Sequence, residues 1–347
     1  MKGLAILFFA FCSAGAAQPE AARERNERGL QAYERREYAE AERLYREAIG
    51  MWESLGEAYA AHLGIVRCNL GETLTAQGKR LEALPELEAS VALLRRSLGV
   101  RHLDTLTAMN LLAATELAIG KDAAAGALLE EALPIERALY PEDAQLAHTL
   151  TALTCLHLRQ GRPVEALPFG EEALTLAIRA AGADSLDAAL AYAAVAEAHR
   201  SAGHPERALP LYRRAEELYR KNLGPQHPRV ASTLAEEAFI LIGEGKLATA
   251  ERQLLDGLAI LDRSCAACAI ERWELDVNLA VVRARQGRYG EADRLLSAGL
   301  ALLETAEQGP TADLASTLRA LAIVRRKEKR FEEADGLDHR AAALAFR

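Results

Sequence analysis

Small, large apolar and polar residues recur along this chain with one fixed period. An alanine returns every 42 residues, with a single gap of 41. Small residues also stand twelve positions before and seven positions after it, and large apolar residues commonly stand three positions after it. This pattern predicts pairs of closely packed helices, since small residues let two helix backbones approach. The recurring alanines are Ala41, Ala83, Ala125, Ala166, Ala208, Ala250, Ala292 and Ala334.

A turn is predicted five positions before each alanine, where glycine stands in six of the eight repeats. Glycine suits a turn that ends one helix, and Pro163 and Pro205 then fall at the opening of the next helix, where proline is tolerated. We therefore predict an all-α solenoid of eight helix-turn-helix repeats wound into a right-handed superhelix. The predicted repeats span approximately residues 21–56, 60–99, 102–140, 143–182, 185–224, 227–265, 269–308 and 311–347.

Two segments of the repeat resemble a known family. Residues 286–292 (QGRYGEA) form the turn into a second helix, and residues 223–228 (LGPQHP) form a loop between repeats. Both resemble tetratricopeptide repeats, and the 42-residue period is similar to the kinesin-light-chain subtype. The resemblance covers about residues 20–347. It implies that the first helix of each repeat lines a concave groove, where asparagine side chains can hold the backbone of a bound peptide.

The repeat register selects candidate groove residues at 15, 11, 8 and 7 positions before the recurring alanine. Each of them taken alone could also be an ordinary solvated side chain on a helix. Arginines from several repeats would favour an acidic or carboxylate-bearing segment. The main peptide-binding candidates are Asn26, Asn110, Arg159, Arg200, Arg285 and Arg319. The same register adds Tyr33, Glu34, Glu197, Phe239, Ile242, Arg326 and Lys327.

The first seventeen residues are typical of a secretory signal. Lys2 supplies a positive charge, residues 4–11 are apolar, and residues 13–17 are small. The apolar run is about half the ~20 residues that span a bilayer. We therefore predict a signal peptide over residues 1–17, cleaved after Ala16 or Ala17, and a periplasmic or secreted protein. An uncleaved segment would instead make the chain a membrane-tethered adaptor.

Two cysteines lie in a loop between repeats, separated by two alanines. In an oxidising compartment Cys265 and Cys268 are expected to form a local disulfide. A haem site would need histidine after Cys268, where alanine stands, and a zinc site would need a second pair of ligands. The alternative is an extracytoplasmic protein that uses this pair for thiol-disulfide exchange.

The net charge and the absence of catalytic and metal-binding motifs argue against several classes of function. The formal net charge is −8, with 50 acidic and 42 basic residues, which argues against nucleic-acid binding. The sequence has no zinc-binding helix motif, no phosphate-binding glycine loop and no nucleophile elbow. We expect no metal, no cofactor, no small-molecule substrate and no catalysis. The sequence predicts an exported scaffold that binds a protein or peptide segment, with possible self-association through its C-terminal repeat.

Overall fold

The computed structural model describes residues 17–264, 269–305 and 311–344. These residues form sixteen α-helices, so the predicted all-α class is confirmed, and a short 3-10 helix, Glu57–Tyr59, precedes the third. The helices are α1 Ala17–Glu34, α2 Tyr38–Leu55, α3 Ala60–Ala76, α4 Arg80–Leu98, α5 Leu103–Ala118, α6 Asp122–Leu139, α7 Ala144–Arg159, α8 Pro163–Ala181, α9 Leu186–Ser201, α10 Pro205–Leu223, α11 Pro228–Gly243, α12 Leu247–Ser264, α13 Ala269–Arg285, α14 Tyr289–Thr305, α15 Thr311–Lys327 and α16 Phe331–Leu344.

The helices pack as consecutive pairs. We call the odd-numbered helices first helices and the even-numbered ones second helices. The chain divides into two compact units: unit 1 spans residues 1–183 and contains α1–α8, and unit 2 spans residues 184–347 and contains α9–α16. Within the described ranges, no helix is both long and apolar enough to cross a bilayer.

The turn inside each repeat has the left-handed backbone that its glycine predicts. The six turn glycines have φ between 70° and 85°. Arg36 and Lys329 occupy the same place in the first and last repeats with φ of 62° and 64°. A side chain with a Cβ is strained in this conformation, whereas glycine is not. The left-handed turn is therefore common to all eight repeats, although two of them form it without glycine. The six glycines are Gly78, Gly120, Gly161, Gly203, Gly245 and Gly287.

The small residues predicted at the helix contacts are tightly enclosed. A Cβ at Gly71 would lie 2.5 Å from Cγ of Leu87, and one at Gly257 would lie 2.8 Å from Cδ2 of Leu275. The recurring alanine is fully buried in all eight repeats. The small residues of the repeat therefore mark close approaches of helices, both within a helix pair and between consecutive pairs.

Side chains of the inter-repeat loops cap the N-termini of four first helices. Asp143 and Ser185 accept hydrogen bonds from the backbone N–H groups of Gln145 and Ala188. His102 and His227 hold the same register and accept through Nδ1 from the N–H groups two residues further on. Each side chain thus satisfies a helix N–H that has no partner within the helix.

One polar pair interrupts the apolar core of unit 2. Glu237 is 2% exposed at a register position that holds Leu or Val in six other repeats, and it accepts a 2.9 Å hydrogen bond from Gln253 Nε2. Within the described residues, Oε1 of Glu237 has no hydrogen-bond partner. Burial raises the pKa of this carboxyl to about 7. Repeat 6 therefore carries a titratable group where its neighbours carry aliphatic side chains.

Candidate functional site

Asn26 lies between two first helices of unit 1. Its side chain is 6% exposed, and its Oδ1 accepts a 3.0 Å hydrogen bond from Nδ2 of Asn69. Asn69 stands on α3, one helix pair further along the chain. The Asn26 amide oxygen therefore links repeats 1 and 2.

Asn110 belongs to a buried polar cluster that joins α5, α6 and α7. Its Nδ2 donates to Oε1 of Glu136 at 2.9 Å and to Oγ1 of Thr149 at 2.5 Å. Thr149 in turn donates to the second carboxyl oxygen of Glu136 at 2.5 Å. Burial raises the pKa of Glu136, although both donors oppose that shift. The two predicted asparagines are thus engaged with neighbouring helices, and their role in peptide binding stays a prediction.

Tyr33, another groove candidate, also bonds across repeats in unit 1. Its hydroxyl donates to Oε1 of Glu72 at 3.0 Å. Burial, followed by the charge of Glu72, raises the pKa of Tyr33, and burial raises the pKa of Glu72. The pair leaves the tyrosine protonated and fixes its ring between α1 and α3.

The predicted arginines differ in how their charges are used. Arg159 pairs with Asp122 at 2.8 Å, and Arg285 donates to the backbone carbonyl of Ile242 at 2.6 Å. Arg326 pairs with two aspartates of α16, Asp335 and Asp338. Arg319 lies exposed on α15. Arg285 is therefore held by a neutral acceptor, whereas Arg159 and Arg326 are neutralised by carboxylates.

Unit 2 brings three of the predicted residues together around Arg200. The guanidinium pairs with both carboxyl oxygens of Glu197, at 2.8 and 2.6 Å, and its Cζ lies 5.0 Å from the ring centre of Phe239. Glu236 approaches the same guanidinium at 3.1 Å, and Tyr212 donates to Glu197 at 2.6 Å. Arg200 is therefore shared by two carboxyl groups and an aromatic face.

Glu236 and Glu274, which we call the carboxyl pair, were missed by the register used above. Glu274 on α13 faces Glu236 on α11. Burial and the charge of Glu197 raise the pKa of Glu236, while burial and the charge of Glu236 raise that of Glu274. The two carboxyl groups therefore titrate as a pair, and their raised pKa values favour a protonated form of the pair.

An apolar row on the first helices of unit 2 begins at Phe239, whose ring centre lies 5.0 Å from Cζ of Arg200. The row consists of Phe239, Val281 and Ile323, which stand eleven positions before the recurring alanine in repeats 6, 7 and 8. Phe239 is 50% exposed and Ile323 is 59% exposed. Large apolar side chains at one register position of successive first helices form a surface suited to contact with another chain.

The predicted disulfide of Cys265 and Cys268 lies outside the described residues, as does the signal segment through residue 16. Within the described ranges, no group of three or more His, Cys, Asp or Glu side chains could hold a metal ion. Burial raises the pKa of the Cys68 thiol, which therefore stays protonated at neutral pH.

The helix pairs, left-handed turns and small-residue contacts define a helical-repeat protein whose first helices carry the candidate sites. A family model described as tetratricopeptide repeat matches residues 62–138 and 147–221. These residues therefore contain tetratricopeptide repeats, which confirms the resemblance seen in the sequence. No curated protein sequence matches it.

Solved structures are similar in fold. A Rap protein complexed with Competence and Sporulation Factor matches with a TM-score of 0.63 at 15% identity, covering 94% of this chain and 98% of the other. NprR in complex with its cognate peptide NprX matches with a TM-score of 0.58 at 15% identity, covering 78% of each chain. The nearly identical TPR-like repeats of a kinesin light chain from Podosopora anserina match at 18% identity and a TM-score of 0.46, covering 58% and 95%.

Proposed function

We propose that this protein is an exported, non-catalytic scaffold that binds a protein or peptide segment on its first helices. The observation that carries the proposal is the apolar row of unit 2, whose Phe239 and Ile323 side chains are at least half exposed. The row stands next to a charged cluster that can orient a bound segment. The Rap and NprR structures, which are similar in fold, hold a factor and a peptide, and this likeness supports the proposal.

Unit 1 supports the proposal less strongly than unit 2 does. Its polar candidates Tyr33, Asn26 and Asn110 donate to or accept from other side chains of the unit. A partner that used these groups would have to compete with those internal hydrogen bonds. The proposal therefore places the main contact on unit 2.

Site-specific photo-crosslinking in the producing cell tests the site. A benzoylphenylalanine at position 239 is expected to give a discrete adduct with one partner. The matched control is the same probe at position 255, because Leu255 is 45% exposed but lies on the second helix α12 of the same unit. Equal adducts from both positions, or none from position 239, would contradict binding on the first helices.

Export rests on the amino-acid sequence of the first seventeen residues and has its own test. N-terminal sequencing of the mature protein is expected to begin at Ala17 or Gln18. A protein that keeps Met1 and fractionates with membranes would favour the tethered adaptor instead. Self-association through the C-terminal repeat stays a prediction, which sedimentation equilibrium over a range of concentrations can test.

A further inference from the structure

The carboxyl pair and the apolar row together restrict what unit 2 can bind. Glu197, Glu236 and Glu274 face one guanidinium, that of Arg200, and the phenol of Tyr212 is the other titratable group at this cluster. The cluster therefore has an excess of acid over base. Burial and the charge of Glu236 raise the pKa of Glu274, which favours its protonated form.

We propose that this surface binds a segment in which one lysine or arginine stands among apolar side chains, with the cation seated at Glu236 and Glu274 and the apolar side chains on Phe239, Val281 and Ile323. The proposal rests on the proposed function and names the class of partner.

The carboxyl pair is accessible enough to receive such a cation. The Glu236 side chain is 25% exposed, and Glu274 is partly exposed. A bound cation takes the place of a proton at the carboxyl pair, and it sits in a partly buried site where charge-assisted hydrogen bonds are strong. An acidic side chain is disfavoured here by repulsion from the carboxyl groups that stay ionised.

The apolar row favours apolar side chains in the bound segment, next to its basic residue. Packed helices lie about 8–10 Å apart, so three successive first helices span about 20 Å, the length of about six extended residues. Trp273 Nε1 donates to Thr317 Oγ1 at 2.9 Å, which ties α13 to α15 below the row. The bound segment therefore meets a row held at fixed spacing, where aliphatic or aromatic side chains gain the most from burial.

The opposite edge of the row is basic, which excludes a uniformly basic partner. Arg285 and Lys327 are the last residues of α13 and α15, and Arg285 is bonded to a neutral carbonyl. Their charges are favourable at helix C-termini and repel further cations. A single basic residue facing the carboxyl pair thus fits better than a run of them.

Selection from a random peptide library on the full-length chain tests the proposal. Peptides of about eleven random residues are displayed on phage and selected on the natural chain and on the double variant Glu236→Gln, Glu274→Gln. The amides preserve the shape of the side chains and remove their charge. We expect peptides from the natural chain to carry one Lys or Arg among apolar residues, and this preference to disappear with the double variant.

A charge-matched control separates the site from the general charge of the unit. The variant Glu206→Gln, Glu332→Gln removes two exposed carboxylates from the second helices α10 and α16 of the same unit. It is expected to select the same peptides as the natural chain. Loss of the preference in this control as well would overturn the proposal.

Affinity measurements make the test quantitative. The best selected peptide is synthesised with its basic residue as lysine and as neutral acetyl-lysine, and both are titrated by fluorescence anisotropy. Acetylation is expected to weaken binding to the natural chain by about tenfold or more, and to the double variant by less than about threefold. Binding of the lysine form should also weaken as pH falls, because protons then compete for the carboxyl pair.

Two results overturn the inference in different ways. Selection of neutral or acidic peptides that lose binding with Phe239→Ser would contradict the cation site and leave the proposed function standing. If no selected peptide loses binding with Phe239→Ser, both the inference and the proposed binding face are wrong.

Discussion

The first helices of the two units use their polar side chains in opposite ways. In unit 1, Asn110 and Thr149 both donate hydrogen bonds to Glu136, and the Tyr33 hydroxyl donates one to a carboxyl group of the next repeat. In unit 2, two carboxyl groups share one guanidinium, the pKa of a third is raised, and large apolar side chains of the same helices are exposed. The repeat is the same in both, but the first helices of unit 2 combine an excess of carboxyl groups with exposed apolar side chains.

This difference shows how a repeat scaffold separates stability from function. The recurring alanines and turns build both units alike, so the framework does not distinguish them. The two units differ in the side chains at exposed positions of the first helices, which the packing of the repeat does not restrict. Polar groups that satisfy one another between helices add specificity to the packing, whereas polar groups in excess create a place for a ligand.

The largest expected effect concerns Glu237 and Gln253, which make the core of unit 2 unlike that of unit 1. The double variant Glu237→Leu, Gln253→Leu introduces the residue that each position carries in five of the other repeats, and that both positions carry together in repeats 3, 7 and 8. The pKa of Glu237 is raised from its ordinary 4.5 to about 7. Above pH 7 the folded chain therefore carries a buried carboxylate, at a cost of roughly 3 kcal/mol relative to the unfolded chain.

Chemical denaturation of both proteins at several pH values measures this effect. Below about pH 4.5 the carboxyl is protonated in both states and contributes no pH dependence. The stability advantage of the double variant should grow as pH rises from 4.5 to 7 and then level off. The single variant Gln253→Leu is the control, since it removes the amide donor and should lower stability. A difference that does not change with pH would show that Glu237 is not the titrating group.

The second effect concerns the buried cluster of unit 1. Asn110→Ala removes a donor from Glu136, which is fully buried, and should lower the free energy of unfolding by about 1–3 kcal/mol. Arg319→Ala, at an exposed site of unit 2, should change it by less than about 0.5 kcal/mol. Both are measured by urea unfolding. If Asn110→Ala instead weakens peptide capture with unchanged stability, the asparagine acts in binding and the comparison between the units fails.

The helices and turns of both units were predictable from the sequence, because they depend on residues that are close together in the chain. The turn glycines require a left-handed backbone, and Pro163 and Pro205 open second helices as expected. The burial of Asn26 and Asn110 depends instead on how neighbouring first helices are rotated against each other. The sequence register indicates a helix face but does not fix that rotation.

The carboxyl pair illustrates the limit of a fixed register. Glu197, Glu236 and Glu274 follow one another at spacings of 39 and 38 residues, three or four fewer than the period. Each therefore lies about one helical turn earlier on its helix than the one before. They meet because adjacent first helices are staggered by that amount. A search for acids at a spacing one turn short of the period would have found them.

A smaller effect tests whether the close helix contacts are equivalent in the two units. Gly71→Ala in unit 1 and Gly257→Ala in unit 2 each place a Cβ less than 3 Å from a buried leucine. Overpacking should cost about 1–3 kcal/mol in each case, partly offset by the better helix propensity of alanine. The controls Gly50→Ala and Gly336→Ala meet no atom within 4 Å in the described structure and should be neutral or stabilising. Thermal unfolding compares the four, and a loss confined to one unit would show that the units differ in packing as well as in surface chemistry.

The smallest effect tests whether the turns of the two units are equivalent. Arg36→Gly in unit 1 and Lys329→Gly in unit 2 place glycine where the backbone is left-handed, and each should raise stability by about 0.5–1 kcal/mol. Gly78→Ala and Gly287→Ala are the reverse changes and should lower it by a similar amount. The midpoint of chemical denaturation measures all four. Equal gains in stability at Arg36 and Lys329 would confirm that the turns of the two units have equivalent backbones. A gain in stability in one unit alone would mean that, in the other unit, contacts of the Arg36 or Lys329 side chain already compensate for the missing glycine.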